Sequence, residues 1–260
     1  MKESSSSQAN HPVIEMEEVA VSSMQDLSRT IIKEINWTVQ ANDFWVVAGL
    51  QDAGKSDLLL MTGSLMAPQA GRYHLFGQEM PIFEESRLTE RLRLGLVFDG
   101  GQLFNHLTVG ENIALPLRYH RNLTAAQAAP EVRRMLEALE LSPWADSTPG
   151  AIGRNWQKRV GLARALMLRP ELLLVDNPLG ALDPLHAAWW LNFLSMLARG
   201  HPLMEGRPVT IVATTADLRR WKGRASHFAI LKEQRFIVIG GREQLEAASE
   251  ELVRDLLATP

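Results

Sequence analysis

The chain has 260 residues, 46% apolar and 22% charged, with a formal net charge of −3. That length buries one sizeable core with a subdomain, and the charge balance gives no footing for general nucleic-acid binding. The absence of cysteine excludes disulfides, iron–sulfur clusters and thiolate zinc sites, and fits a reducing compartment.

In chain order, the polar, serine-rich opening "MKESSSSQANHP" reads as a disordered tail over residues 1–11, not a signal peptide. No window approaches the roughly 18 apolar residues of a membrane span, so work at a membrane would go through partners. "FWVVAG" (44–49) is a buried strand closed by glycine, and "DLLLMTGSLM" (57–66) a helix. "YHLFG" and "LGLVFDGGQLF" are strand-and-turn material, broken at Gly100-Gly101. "VGENIALPLRYH" (109–120) starts as a helix that Pro116 interrupts. Thr124 is the N-cap of a helical stretch to Leu141, which Pro130 divides in two. A helix at 157–168, a strand at 171–175 and a helix at 186–200 ending on Gly200 follow. Residues 209–215 and 227–240 are strand-rich, and 243–258 form an amphipathic helix that either caps the domain or meets a second subunit. Strands alternating with helices predict an α/β core with a largely parallel sheet, with an inserted helical lobe at about 103–155.

Two stretches carry chemistry. "GLQDAGKS" (49–56) fits the G-x-x-x-x-G-K-[ST] pattern between an apolar strand and an apolar helix. Glycines let the loop wrap closely around phosphates, while consecutive N–H groups and the helix N-terminus point positive dipoles at them. Lys55 reaches the β- and γ-phosphates, and Ser56 is placed to ligate Mg²⁺. The nucleotide contacts expected are therefore Gly49, Leu50, Gln51, Asp52, Ala53, Gly54, Lys55, Ser56 and Asp57. The second stretch is "LLLVDNPLGALDP" (172–184): a buried strand ending in Asp176, the position from which P-loop folds supply a carboxylate toward Mg²⁺.

Together these residues resemble the ATP-binding subunits of ABC transporters. "GLQDAGKS" is similar to Walker A, "LLLVD" to Walker B and "GALDP" to the D-loop. "RVGLARALMLRPELLLVD" resembles the helix running from the signature motif, and "LFNHLTVGENIALPLRYH" the segment after the Q-loop that faces the membrane partner. The resemblance spans about residues 14–245; within the family, "GGQLFNHLTVGENIALPLRYH" looks most like the ATPases of MCE-type lipid transporters. It implies a P-loop NTPase core with an antiparallel β subdomain and the helical lobe, a nucleotide-binding domain over 12–245, and a C-terminal helix over 246–260. It also implies ATP and Mg²⁺ as cofactors, transmembrane permease subunits and an MCE-type lipid-binding protein as partners, and a location on the cytoplasmic face of the inner membrane. Two such subunits, identical or different, would close head-to-tail around two ATP molecules.

Several positions depart from the family's chemistry. Asn177 stands at the general-base glutamate, and an amide cannot accept the water's proton at neutral pH. Ala216 replaces the switch histidine, and Asp99 replaces the Q-loop glutamine, where it could still bind the metal beside Ser56 and Asp176. The signature aligns with "IGRNW", Ile152 to Trp156, where Arg154 and Asn155 carry side chains at positions the family keeps bare. No aromatic near Ser23 and Met24 offers itself to adenine, and Asp57 adds a negative charge near the α-phosphate. With no catalytic set intact, the expectation is an ABC-type subunit that binds Mg-ATP and hydrolyses it weakly or not at all. The alternatives are a normally active transport ATPase and a structural pseudo-ATPase that binds a partner without nucleotide. Of the remaining features, the scattered histidines give no zinc pattern, Trp189 and Trp190 read as packing, and the arginines of 87–95 as a solvated face.

Overall fold

The computed structural model describes residues 11–80, 87–249 and 251–258; the expected tail, apart from His11, lies outside them. The strands are β1 (Ile14–Ser22), β2 (Thr30–Val39), β3 (Phe44–Gly49), β4 (Ala70–Leu75), β5 (Gln78–Glu79), β6 (Leu94–Val97), β7 (Leu172–Val175), β8 (Thr210–Thr215), β9 (His227–Lys232) and β10 (Arg235–Gly240). The helices are α1 (Lys55–Thr62), α2 (Leu88–Leu92), α3 (Val109–His120), α4 (Ala125–Ala138), α5 (Arg154–Leu166), α6 (Pro184–Arg199), α7 (Arg242–Ala247) and α8 (Glu251–Ala258).

One curled sheet runs in the order β5-β4-β1-β2-β10-β9-β3-β8-β7-β6. From β9 to β6 every pairing is parallel, whereas β1, β2, β4 and β5 form an antiparallel wing. The wing joins the rest through the single parallel pair Arg235–Lys33. Both faces of the parallel part are buried, which is why its strands read as unbroken apolar runs. Along β3, Phe44, Val46 and Ala48 enter one core with α3 to α6, while Trp45 and Val47 enter the other with α1 and the wing. The strand carboxyl ends thus emerge between two packed layers, and the loops that leave them have rigid anchors.

Both prolines lie inside helices that continue through them. α3 runs past Pro116 and α4 past Pro130, so neither divides its segment. A helical proline removes one N–H, here the donor for the carbonyls of Asn112 and Ala126. Capping offsets part of that loss. Thr108 and Glu111 exchange side-chain bonds with each other's N–H groups (3.1 and 2.8 Å), and Thr124 and Gln127 do the same. Buried Asn112 adds a staple, accepting from Phe104 N and donating toward the carbonyls of Phe104, Leu107 and Thr108.

Two further expectations are corrected. The C-terminal helix is split: α7 ends where Ala248 turns extended, and α8 is separate. Leu252, Val253 and Leu256 of α8 enter the main core beside Leu218 and Trp221, so this apolar face caps the domain. The arginines of 87–95 are largely spent within the fold: Arg87 donates to Gln78, and Arg93 forms a forked pair with Glu171 while stacking on Phe76.

Pro130 is exposed, so Pro130→Ala restores a helical bond without repacking. The variant should be more stable by about 1–2 kcal/mol after allowing for the greater freedom of its unfolded chain. An unchanged denaturation midpoint would show that this proline does not strain the helix.

Candidate nucleotide site

The loop between β3 and α1 is built for close approach. A Cβ on Gly49 would stand 3.1 Å from the Leu231 carbonyl oxygen, and Gly54 holds φ +89° with Ile31 pressed 3.0 Å from where its Cβ would be. Asp52 also takes a left-handed conformation, φ 61°. Lys55 folds back over the loop and donates to the carbonyls of Gly49 (2.9 Å) and Leu50 (2.6 Å). Burial pushes the Lys55 pKa down, opposed by Asp176 and Asp52.

Because β8 lies between β3 and β7, three strand ends meet at Asp176. One carboxylate oxygen accepts from Ser56 Oγ (2.7 Å), the other from Thr214 Oγ1 (2.7 Å). Thr214 also accepts the N–H of Asn177 (3.0 Å). Thr214 has no motif to announce it; the only signal in the sequence is a hydroxyl near the end of an apolar strand. An open cleft of about 520 Å³ lies along the loop, bounded by Ser23, Met24, Arg29, Lys55, Ser56 and Asp57. A second, of about 420 Å³, is bounded by Ser56, Asp99, Gln102 and Asp176. The oxygens of Ser56 and Asp176 are the hard donors that Mg²⁺ takes, and the bare loop admits phosphates, so the residues present fit a Mg-nucleotide.

The departing positions fall around this centre. Asp57 bounds the first cleft with one carboxylate oxygen already engaged. Its carboxylate accepts Met24 N (2.7 Å) and ties the β1–β2 loop to α1. Asp99 lines the second cleft, yet its Oδ1 pairs with Lys158 (2.8 Å) and, more distantly, Arg154 (3.5 Å). Asn177, φ 44°, turns its amide toward Asp99 Oδ2 (3.4 Å). Ala216 is exposed just beyond β8, with no polar group in its side chain. Gly153 caps α5, so Arg154 and Asn155 form that helix's first turn. Asn155 makes a long contact with Asp183 (3.5 Å), which itself caps α6 through His186 N (3.0 Å). Trp156 lies against Arg159 and edge-on to His186, and Trp189 lies against the same guanidinium and stacks on Phe193.

A phosphate loop on a parallel sheet, facing a serine–aspartate bond from a neighbouring strand end, defines a P-loop nucleotide-binding domain. The sequence model of the ABC transporter family matches residues 32–180, more than half of the chain. This chain belongs to that family. It is 30% identical over 240 residues to the intermembrane phospholipid transport system ATP-binding protein MlaF of Escherichia coli K12, covering 90% of this chain and 87% of MlaF. Two solved structures share the fold. The ATP-binding cassette MJ0796, a dimer bound to ADP and Pi, superposes with a TM-score of 0.74 at 24% identity over 85% of this chain and 95% of its own. CbiO1 of Clostridium perfringens, part of the cbiONQ transporter complex, gives 0.76 at 21% identity over 96% of each.

The second cleft depends on how closely α5 approaches the turn after β6. A Cβ on Gly161 would stand 2.8 Å from the backbone of Gly101, so Gly161→Ala must push the helix and the turn apart. It should cost about 1–3 kcal/mol, read by chemical denaturation. A variant as stable as the parent would show the contact to be loose.

Proposed function

We propose that this chain is the ATP-binding subunit of a membrane transporter. It holds Mg-ATP on residues 49–56 and Asp176, and hydrolyses it slowly or not at all. One observation carries the reading: the Ser56–Asp176 bond beside an open, glycine-shaped phosphate loop. Lys55, now resting on loop carbonyls, supplies the cation for the terminal phosphates, and the N–H groups of the loop supply the rest of the cradle. Ser56 and Asp176 would hold Mg²⁺, which would supply positive charge beside the phosphates.

Slow turnover follows from the side chains at the reacting end. Asn177 can donate to a water's oxygen but cannot take its proton, and Ala216 offers neither donor nor charge. A positioned base contributes roughly 10²–10⁴ in rate. Asp99 is the nearest other carboxylate, but its pairing with Lys158 argues against a free base or metal ligand there.

The rival reading, a partner-binding protein without nucleotide, drew on the added acids Asp57 and Asp99. Asp99 is paired with the Lys158 ammonium and so sets no unpaired charge against a phosphate, while the Asp57 carboxylate is tied to Met24 N and keeps its charge. The resemblance to a phospholipid transport ATPase along most of both chains supports lipid as cargo, with permease subunits anchoring this chain at the cytoplasmic face. The dimeric relative MJ0796 supports pairing with a second ATPase subunit. Among the described residues no helix is long and apolar enough to cross a membrane, which fits a peripheral subunit.

Titration with Mg-ATP tests the proposal. At 100 times Kd the folded state should gain about 2.7 kcal/mol, seen as a rise in Tm that Lys55→Ala removes. The purified transporter should hydrolyse ATP far below the roughly 10 s⁻¹ typical of enzymes. Turnover at tens per second that Lys55→Ala abolishes would establish an ordinary ATPase, and no thermal shift at millimolar ATP would establish the nucleotide-free reading.

A further inference from the structure

Two cations are buried at consecutive positions of α5, Lys158 and Arg159. Arg159 pairs with Glu140 and lies against the rings of Trp156 and Trp189. Lys158 is different, because its partners come from the two segments that wall the phosphate site. Its ammonium has three protons to give and three acceptors: Asp99 Oδ1 at 2.8 Å, Asn177 O at 2.9 Å and Gly180 O at 3.0 Å. The side chain is 2% exposed, while Asp99 is 34% exposed.

Asp99 and Asn177 meet across this ammonium. They follow neighbouring strands, β6 and β7, which pair in parallel. The free Asp99 oxygen accepts a long bond of 3.4 Å from the Asn177 amide. That amide occupies the space where a Cβ on Gly180 would be, 2.1 Å away. The loop is thus shaped so that the group at 177 faces the group at 99.

Charge then constrains the two positions jointly. A buried ammonium without a carboxylate is an uncompensated charge, and removing one partner of a buried pair is strongly destabilising. A second carboxylate facing the first adds like-charge repulsion at close range. Asp99 bonds Lys158 directly, whereas position 177 reaches it through its main-chain carbonyl, 2.9 Å away. An acid at 177 would lie within charge range of the ammonium, so one acid and one amide balance Lys158 where two acids or two amides do not. We infer that Asp99 and Asn177 are a reciprocal pair held by Lys158. The turn after β6 carries the acid and the loop after β7 carries the amide, and neither can be exchanged alone. Lys158 is a positioning residue: it fixes the Asn177–Gly180 backbone and decides which of the two positions is free to be acidic. Restoring an acid at 177 alone would set it against Asp99 and not produce a working base.

Four forms of the full chain test this: the parent, Asp99→Gln, Asn177→Glu and the double variant. Without nucleotide, each single change should lower Tm by about 5–15 °C, and the double should return to within about 3 °C of the parent. Repeating the set with Lys158→Met should make the two shifts additive. Additive shifts with Lys158 present overturn the inference. If a single variant does not fold, the comparison is soluble yield, and a double variant no better than the singles overturns it equally. A purely structural pair would leave chemistry unmoved, so ATP turnover is the second readout. The double should exceed both singles and the parent by tenfold or more, and an Asn177→Glu single as fast as the double counts against the reciprocity. That arm rests on the proposed nucleotide site, whereas the thermal arm does not. A chain that binds no ATP sinks the functional reading and leaves Tm to decide the pair.

Discussion

Asp176 is the residue on which the geometry of the site depends. It ends a strand buried on both faces, and its two oxygens take one hydroxyl each, from the helix after the phosphate loop and from the strand between. Those two bonds fix the carboxylate plane, and with it the distance between the loop that would grip phosphates and the loop that carries Asn177. Neutral hydroxyls hold the charge in place without cancelling it, and each oxygen retains lone-pair capacity toward a cation. A lysine or arginine in place of Ser56 or Thr214 would also have fixed Asp176, but would have consumed the negative charge that a metal needs.

The other acids around this centre behave differently from Asp176. Asp57 is spent on a backbone N–H, Asp99 on a buried ammonium, and Asp183 on the start of α6. The His186 N–H holds the Asp183 carboxyl below its ordinary pKa, so this cap stabilises the fold above the normal carboxylate range and is lost as pH falls through the lowered value. Acids at a phosphate site look hostile to a polyanion when counted in sequence. The Lys158 ammonium offsets Asp99, so the cleft is less negative than that count, while the main-chain N–H groups that orient Asp57 and Asp183 leave their charges in place.

What could be read from the sequence followed from locality. The phosphate loop, the strand ending in Asp176 and the Thr124 cap are each contained in a few consecutive residues, and the loop's glycines announce a backbone that must bend left-handed or come close. The two prolines misled because a local rule takes no account of the packing that opposes it: Ala128, Met135 and Leu136 hold α4 on the core on both sides of Pro130. The long wing strands β1 and β2 give a weak local signal, since their pairing is irregular, with bulges that include Glu18 and Glu34 in left-handed conformations. Thr214 and Lys158 could not be identified in advance. Their roles arise only when strand order brings residue 214 to 176, and 158 to 99, across large separations in the chain.

The same reasoning bears on the altered signature stretch. At positions that the resemblance implies are bare, the first turn of α5 carries Arg154, Asn155 and Trp156. Trp156 is wedged between Trp144, His186 and the buried Arg159, so this turn is stiffened by ring packing. Arg154 stays 61% exposed at the edge of the Asp99 pair. A stiff face with an exposed guanidinium suits attraction to an anion brought by a second subunit, because charge acts across a gap that backbone N–H groups cannot span. It suits poorly the close main-chain approach that a bare glycine turn allows.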